Sequence, residues 1–102
     1  MSYTVFYHED VQNDIQDAVD WYDSIDKKLT DSLLEEIYNA IKRISENPQF
    51  YETKYRNVIR VRLLERFDYG LHFVLRENAK EVFVLAFLHG KQSRKRVVKR
   101  FI

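Results

Sequence analysis

The densest apolar patterning in the chain lies between Val58 and Leu88. Val58–Leu64, Tyr69–Arg76 and Val82–Leu88 are rich in β-branched, aromatic and leucine residues, lack proline and are too short for typical helices, so they predict three strands. The short polar stretches between them predict an antiparallel meander. In the first run Ile59, Val61 and Leu63 alternate with Arg60 and Arg62, which predicts one core face and one basic face. In the second, Tyr69, Leu71, Phe73 and Leu75 predict a buried face against a mixed one; the third is apolar on both faces, as a central strand covered on two sides would be. With Glu65-Arg66-Phe67 as the first loop, Arg62 falls opposite Gly70 and Arg60 opposite His72. That register gathers two cations and an imidazole around a residue without a side chain. The same alternation also suits a sheet face that merely keeps the protein soluble.

Upstream the period changes. Tyr3–Tyr7 is a short strand signal, and from His8 to Ser24 the residues Val11, Ile15, Ala18, Val19, Tyr22 and Ile25 recur at helical spacing. Glu9 and Asp10 suit the positive end of that helix, and Trp21 and Tyr22 read as packing residues at its other end. A second helix, Lys27 to Glu46, carries the stripe Leu29, Leu33, Ile37, Ile41 and Ile44, with Asp31, Glu35, Glu36, Lys42 and Arg43 facing water. It stops at Asn47-Pro48 because a residue before proline avoids helical geometry. So few residues separate the helices that they must form an antiparallel hairpin. Gln49 to Asn57 reads as a connector. Lys91–Ile102 predicts one short amphipathic basic helix that either caps the core or orders on a partner. The fold class is therefore α+β: an N-terminal strand, a helical hairpin, a three-stranded meander packed on the helices, and a short basic C-terminal helix.

Length and charge refine this. A chain of 102 residues predicts a single domain, residues 1–102. With no apolar segment of spanning length and no charged-then-apolar leader, a soluble cytoplasmic protein without membrane contact is expected. The chain has no cysteine, which removes disulfides, thiol nucleophiles and thiolate metal sites. The net charge of +1 conceals a division. Residues 1–53 hold four basic and twelve acidic residues, net −8, whereas residues 54–102 hold thirteen and four, net +9. A segregated basic half favours an acidic or polyanionic partner, and it equally balances the acidic helices within one fold.

The candidate chemistry is metal-free and cofactor-free. The two glycines, Gly70 and Gly90, make no phosphate loop, and His8, His72 and His89 are not at metal-ligand spacing. His89, at the end of the third strand, can serve as acid or base, with Arg60 and Arg62 as a clamp for a phosphate in flight, as metal-free RNA cleavage requires. His89 is equally a structural residue at a strand end. Arg66, His72, Lys91, Arg94, Lys95 and Arg96 join Arg60 and Arg62 as candidates for binding nucleic acid or another target.

The order of elements, with FDYGLHFVL followed by VFVLAFLHGKQSRK, resembles the RelE/ParE superfamily of bacterial type II toxin–antitoxin toxins over nearly the whole chain. Its most specific parts are Arg62, Phe67-x-Tyr69 and the strand end Val84 to Gly90 with the basic residues that follow. The resemblance implies a growth-inhibiting toxin of a plasmid-stabilisation-like module, neutralised by a cognate antitoxin. It implies one of two targets: ribosome-bound mRNA, cut without a metal in the RelE-like branch, or DNA gyrase, poisoned in the ParE-like branch. A non-toxic antitoxin-binding or autoregulatory protein is the third possibility. Arg60 and Arg62 stand where RelE-like enzymes carry paired basic residues. Gly70, Gln92 and Val98 stand where that branch carries two arginines and a tyrosine, and Arg94 can replace a displaced arginine.

Overall fold

A computed structural model describes residues 2–101. A five-stranded sheet in the order β1-β5-β4-β3-β2 carries a helical hairpin on one face and a short helix on the other. The elements are β1 (Thr4–Tyr7), α1 (Val11–Asp23), α2 (Lys27–Glu46), a 3-10 turn (Pro48–Phe50), β2 (Thr53–Tyr55), β3 (Ile59–Leu63), β4 (Tyr69–Arg76), β5 (Glu81–His89) and α3 (Lys95–Phe101). The α+β architecture, hairpin, meander and basic terminal helix agree with the sequence reading.

Local chemistry explains the boundaries. Asp26, extended at φ −164°, accepts the amide of Lys28 and so caps α2, which starts the second helix within a few residues of the first. Pro48 occupies the first position of the 3-10 turn, where its missing N–H costs nothing. Leu33, Ile37 and Ile44 of α2 and Val11 and Ala18 of α1 pack with Leu71, Phe73, Val82, Val84 and Phe87 of the sheet in the larger core. Each such fully buried side chain contributes about 1.5–3 kcal/mol relative to exposure. On the opposite face Ile59, Val74, Leu85, Ala86 and Leu88 form a smaller core under Val97 of α3.

A bulge shifts the parity of β5. His72 pairs with Ala86 but Phe73 pairs with Val84, so Leu85 is the extra residue: Val82 and Val84 on one side of it and Phe87 on the other all face the larger core. The parallel partner β1 reaches only Glu81–Val84. Beyond it the edge of β5 is completed by side chains: Asp14 of α1 accepts the Phe87 amide at 3.1 Å, and Arg100 of α3 donates to the Leu85 carbonyl at 3.0 Å. Arg100 also holds both carboxylate oxygens of Asp14 through its two terminal nitrogens. An ion pair thus stands in for the missing length of strand.

Several expectations fail in detail. The β3–β4 register is one residue from that expected: Arg62 lies opposite Leu71 and Arg60 opposite Phe73, while Leu63 meets Gly70 and Val61 meets His72. Opposed residues share a face, so Arg60 and Arg62 stand on the helical side of the sheet, and Ile59, Val61 and Leu63 on the α3 side. Leu63 is 63% exposed, because α3 does not extend over it. Trp21, Ile25 and Leu29 project at the hairpin tip, 61%, 57% and 37% exposed, with Tyr22 alone of the expected aromatic pair packing inward on Phe67 and Tyr69. The first helix starts at Val11, with Asp10 at its N-cap position, and not at His8. Thr53–Tyr55, read as connector, is an edge strand. Among the described residues no helix is long and apolar enough to cross a membrane.

Candidate functional site

The arginines of β3 are anchored to the connector that precedes it. Arg60 donates to the Tyr51 carbonyl, and the Arg62 guanidinium sits 5.8 Å from the centre of the Tyr51 ring. Tyr51 in turn packs on the larger core, meeting Phe73 edge-on at 5.9 Å. This arrangement is a structural seam with a basic rim.

The opposite face holds a different grouping. His72 of β4, only 5% exposed, and Tyr55 of β2 share a hydrogen bond of 2.7 Å between Nδ1 and the phenol oxygen. The Arg94 guanidinium, on the residue before α3, lies 4.4 Å over the Tyr55 ring. Burial, reinforced by the charge of Arg94, pushes the His72 pKa down to about 4. Burial likewise pushes the Tyr55 phenol up to about 12, Arg94 opposing. Both groups are therefore neutral at neutral pH. Between two neutral groups the bond runs either from the phenol to Nδ1 or from Nδ1–H to the phenol oxygen, according to the imidazole tautomer.

The third grouping lies at the end of β5. His89 stacks edge-on against Tyr69 at 4.9 Å, and its Nδ1 accepts the Lys91 amide at 3.0 Å. Gln92 folds back to accept the His89 amide at 2.8 Å and donates its own amide to the His89 carbonyl. The remaining nitrogen, Nε2, faces the Asp68 carboxylate at 3.8 Å. Gly90 belongs to the same turn: a Cβ there would lie 2.4 Å from an Asp68 oxygen and 2.9 Å from Asp68 Cγ, so the turn requires glycine or a displaced Asp68 side chain.

The expected constellation is therefore split three ways. His72 and Arg94 come together with Tyr55, which sequence reasoning missed. Its signal was an aromatic residue in a connector next to the basic strand. Arg60 and Arg62 stay together but face the helices, and His89 is bound into its own turn. Arg66 pairs with Glu36, Nε to Oε2 at 3.1 Å, while Lys91 is exposed. Lys95 and Arg96 belong to α3. Among the described residues no three His, Asp or Glu side chains gather as a metal site would need.

A separate apolar groove of about 630 Å³ runs between α1 and α2 near the end of β1, floored by Val11, Ile15, Val19 and Ile41, with half-exposed Tyr7 and Leu34 at its sides.

A family model described as the ParE toxin of the type II toxin–antitoxin system parDE matches residues 5–94. No curated protein sequence matches the chain. A chain of the chromosomal ParDE system from P. aeruginosa superposes with a TM-score of 0.73 at 14% identity, covering 86% of this chain and 96% of that one. An arginine-to-alanine double mutant of the E. coli toxin RelE in the free state gives 0.66 at 15% identity, with both chains fully covered. A chain of the RelBE2 toxin–antitoxin complex of Mycobacterium tuberculosis gives 0.57 at 16% identity, covering 87% and 99%. At such identities these structures share the fold with this chain.

Proposed function

The chain belongs to the ParE toxin family of type II toxin–antitoxin systems, and from that membership we propose that it arrests growth by acting on DNA gyrase and not by cutting mRNA. The observation that carries the choice is that no free acid–base group converges on the paired arginines. Cleavage of RNA without a metal needs a base, an acid and a cationic clamp converging on one phosphate. Here the paired arginines face the helical side against Tyr51, and the imidazole beside Arg94 is neutral with its Nδ1 engaged by Tyr55. His89 has its Nδ1 engaged by the following turn. Gln92 is occupied as the cap of that turn, and a side chain at Gly70 would meet Val61 and Leu63 at 3.0 and 3.1 Å, so neither position serves a phosphate.

A poison of a protein target needs surface complementarity and no proton relay, and the dispersed acid–base groups of this chain are compatible with such a role. The partner that neutralises it is an antitoxin, and the groove between α1 and α2 suits the apolar stripe of an amphipathic antitoxin segment.

Purified protein added to gyrase and relaxed plasmid tests the target. Inhibited supercoiling with accumulation of cleaved DNA–gyrase complexes is expected. Unchanged gyrase activity at excess protein overturns the proposal, and codon-phased cuts in a ribosome-containing lysate would transfer the chain to the RNA-cutting branch.

A further inference from the structure

A cleft of about 440 Å³ lies alongside α3, walled by Lys95, Arg96, Lys99, Arg100 and Asp10. Helical geometry assembles it: residues 95 and 99, and 96 and 100, are one turn apart and share one flank, while Val97 turns into the smaller core. Two of the cations are answered from within. Arg100 is bound to Asp14 and has Asp10 at 3.9 Å, and Arg96 approaches Asp14 at 3.8 Å with 47% of its side chain still open. Lys95 and Lys99 are exposed, and among the described residues neither has a carboxylate within ion-pair distance. The two carboxylates near the cleft thus have arginine partners, and the ammonium groups of the lysines remain available.

We propose that this flank of α3 binds the phosphate backbone of duplex DNA, so that the toxin holds the DNA as well as the enzyme acting on it. This rests on the gyrase reading for its biological setting. The chemistry favours a duplex: lysines are mobile point charges that suit phosphates without reading bases. The cleft's described lining carries no aromatic ring on which an unpaired base would stack, as single-strand binding uses. The basic excess of residues 54–102, +9 against −8 in residues 1–53, adds attraction for the same polyanion at short range.

The test is fluorescence anisotropy of a short labelled duplex with the full chain alone, titrated across salt concentrations. Each phosphate neutralised contributes about −0.9 to the slope of log K against log salt. Lys95, Lys99 and the open part of Arg96 together set a slope of roughly −2 to −3, independent of base sequence. Replacing both lysines (Lys95→Gln with Lys99→Gln) is expected to make the slope shallower by about 1.8. The pair Lys27→Gln with Lys28→Gln, at the start of α2, should leave it as it was. An unchanged slope in the α3 variant, an equal loss in the α2 variant, or tighter binding to single-stranded RNA than to the duplex overturns the proposal. Supercoiling is measured separately. If the unmodified chain leaves gyrase untouched while the lysine-dependent slope persists, the gyrase reading fails and the DNA-binding surface stands.

Discussion

Arg100→Ala is expected to weaken this fold strongly, although it removes no core side chain. The side chains of Arg100 and Asp14 are 10% and 4% exposed, and the guanidinium donates to both oxygens of the carboxylate and to the Leu85 carbonyl. Removing the arginine leaves the buried carboxylate with only half-exposed Arg96, 3.8 Å away, as counter-charge, a loss at the lower end of about 3–5 kcal/mol, and strips the donor from a bulge carbonyl. With a urea slope of about 1.5 kcal/mol per M for a domain of this size, a loss of about 3 kcal/mol lowers the unfolding midpoint by roughly 2 M. Urea titrations followed by Trp21 and tyrosine fluorescence would read this directly. Asp14→Ala removes the acceptor of the Phe87 amide as well, yet the two changes together should cost less than their sum, because no lone charge is then left inside. A midpoint for Arg100→Ala within about 0.5 M of the unmodified chain, or strict additivity of the pair, would refute the view that this ion pair completes the sheet edge.

Two further outcomes can be measured on stability and local motion. Because the folded chain holds the His72 pKa near 4 against an ordinary 6.5, the unfolded chain takes up a proton that the folded one refuses. The stability linked to His72 is therefore whole above about pH 6.5, falls as pH drops and levels off below about pH 4, a loss of about 3 kcal/mol in all. His72→Gln should flatten this part of the profile; identical pH slopes for both proteins between pH 7 and pH 4.5, on the order of that window, would contradict the assignment. Glu36 accepts the Glu65 amide at 2.7 Å and pairs with exposed Arg66, so Glu36→Ala should cost about 1 kcal/mol and speed hydrogen exchange at Glu65 while the β5 amides stay protected.

The elements that were legible in the sequence are those whose period is enforced by a single buried face. The α2 stripe through Leu33, Ile37 and Ile44 and the β4 set Leu71 and Phe73 are buried as their spacing requires. β3 misled because it lies between two unequal cores. Ile59 belongs to the smaller one, while the arginines of the alternate face reach Tyr51 at the edge of the larger one, so alternation was visible but its direction was not. The one-residue change in register then separated Arg60 and Arg62 from His72. Tyr55 was hidden in a strand of three residues whose pairing with β3 is irregular. The burial of Asp14 could not be seen either, since its partners Phe87 and Arg100 lie 73 and 86 residues away.

Those separations bear on when the molecule becomes complete during synthesis. β1 is made well before Glu81–Val84, the stretch it pairs with, and the remaining edge of β5 waits for Arg100, later still in the chain. Contacts of such long range form late, because chain closure must be achieved before they repay it. A growing chain therefore carries the helical hairpin, which is local, well before its sheet is sealed. A partner that recognises the hairpin can engage before the sheet is complete, whereas any activity that needs the sheet and α3 waits until Arg100 has joined β5.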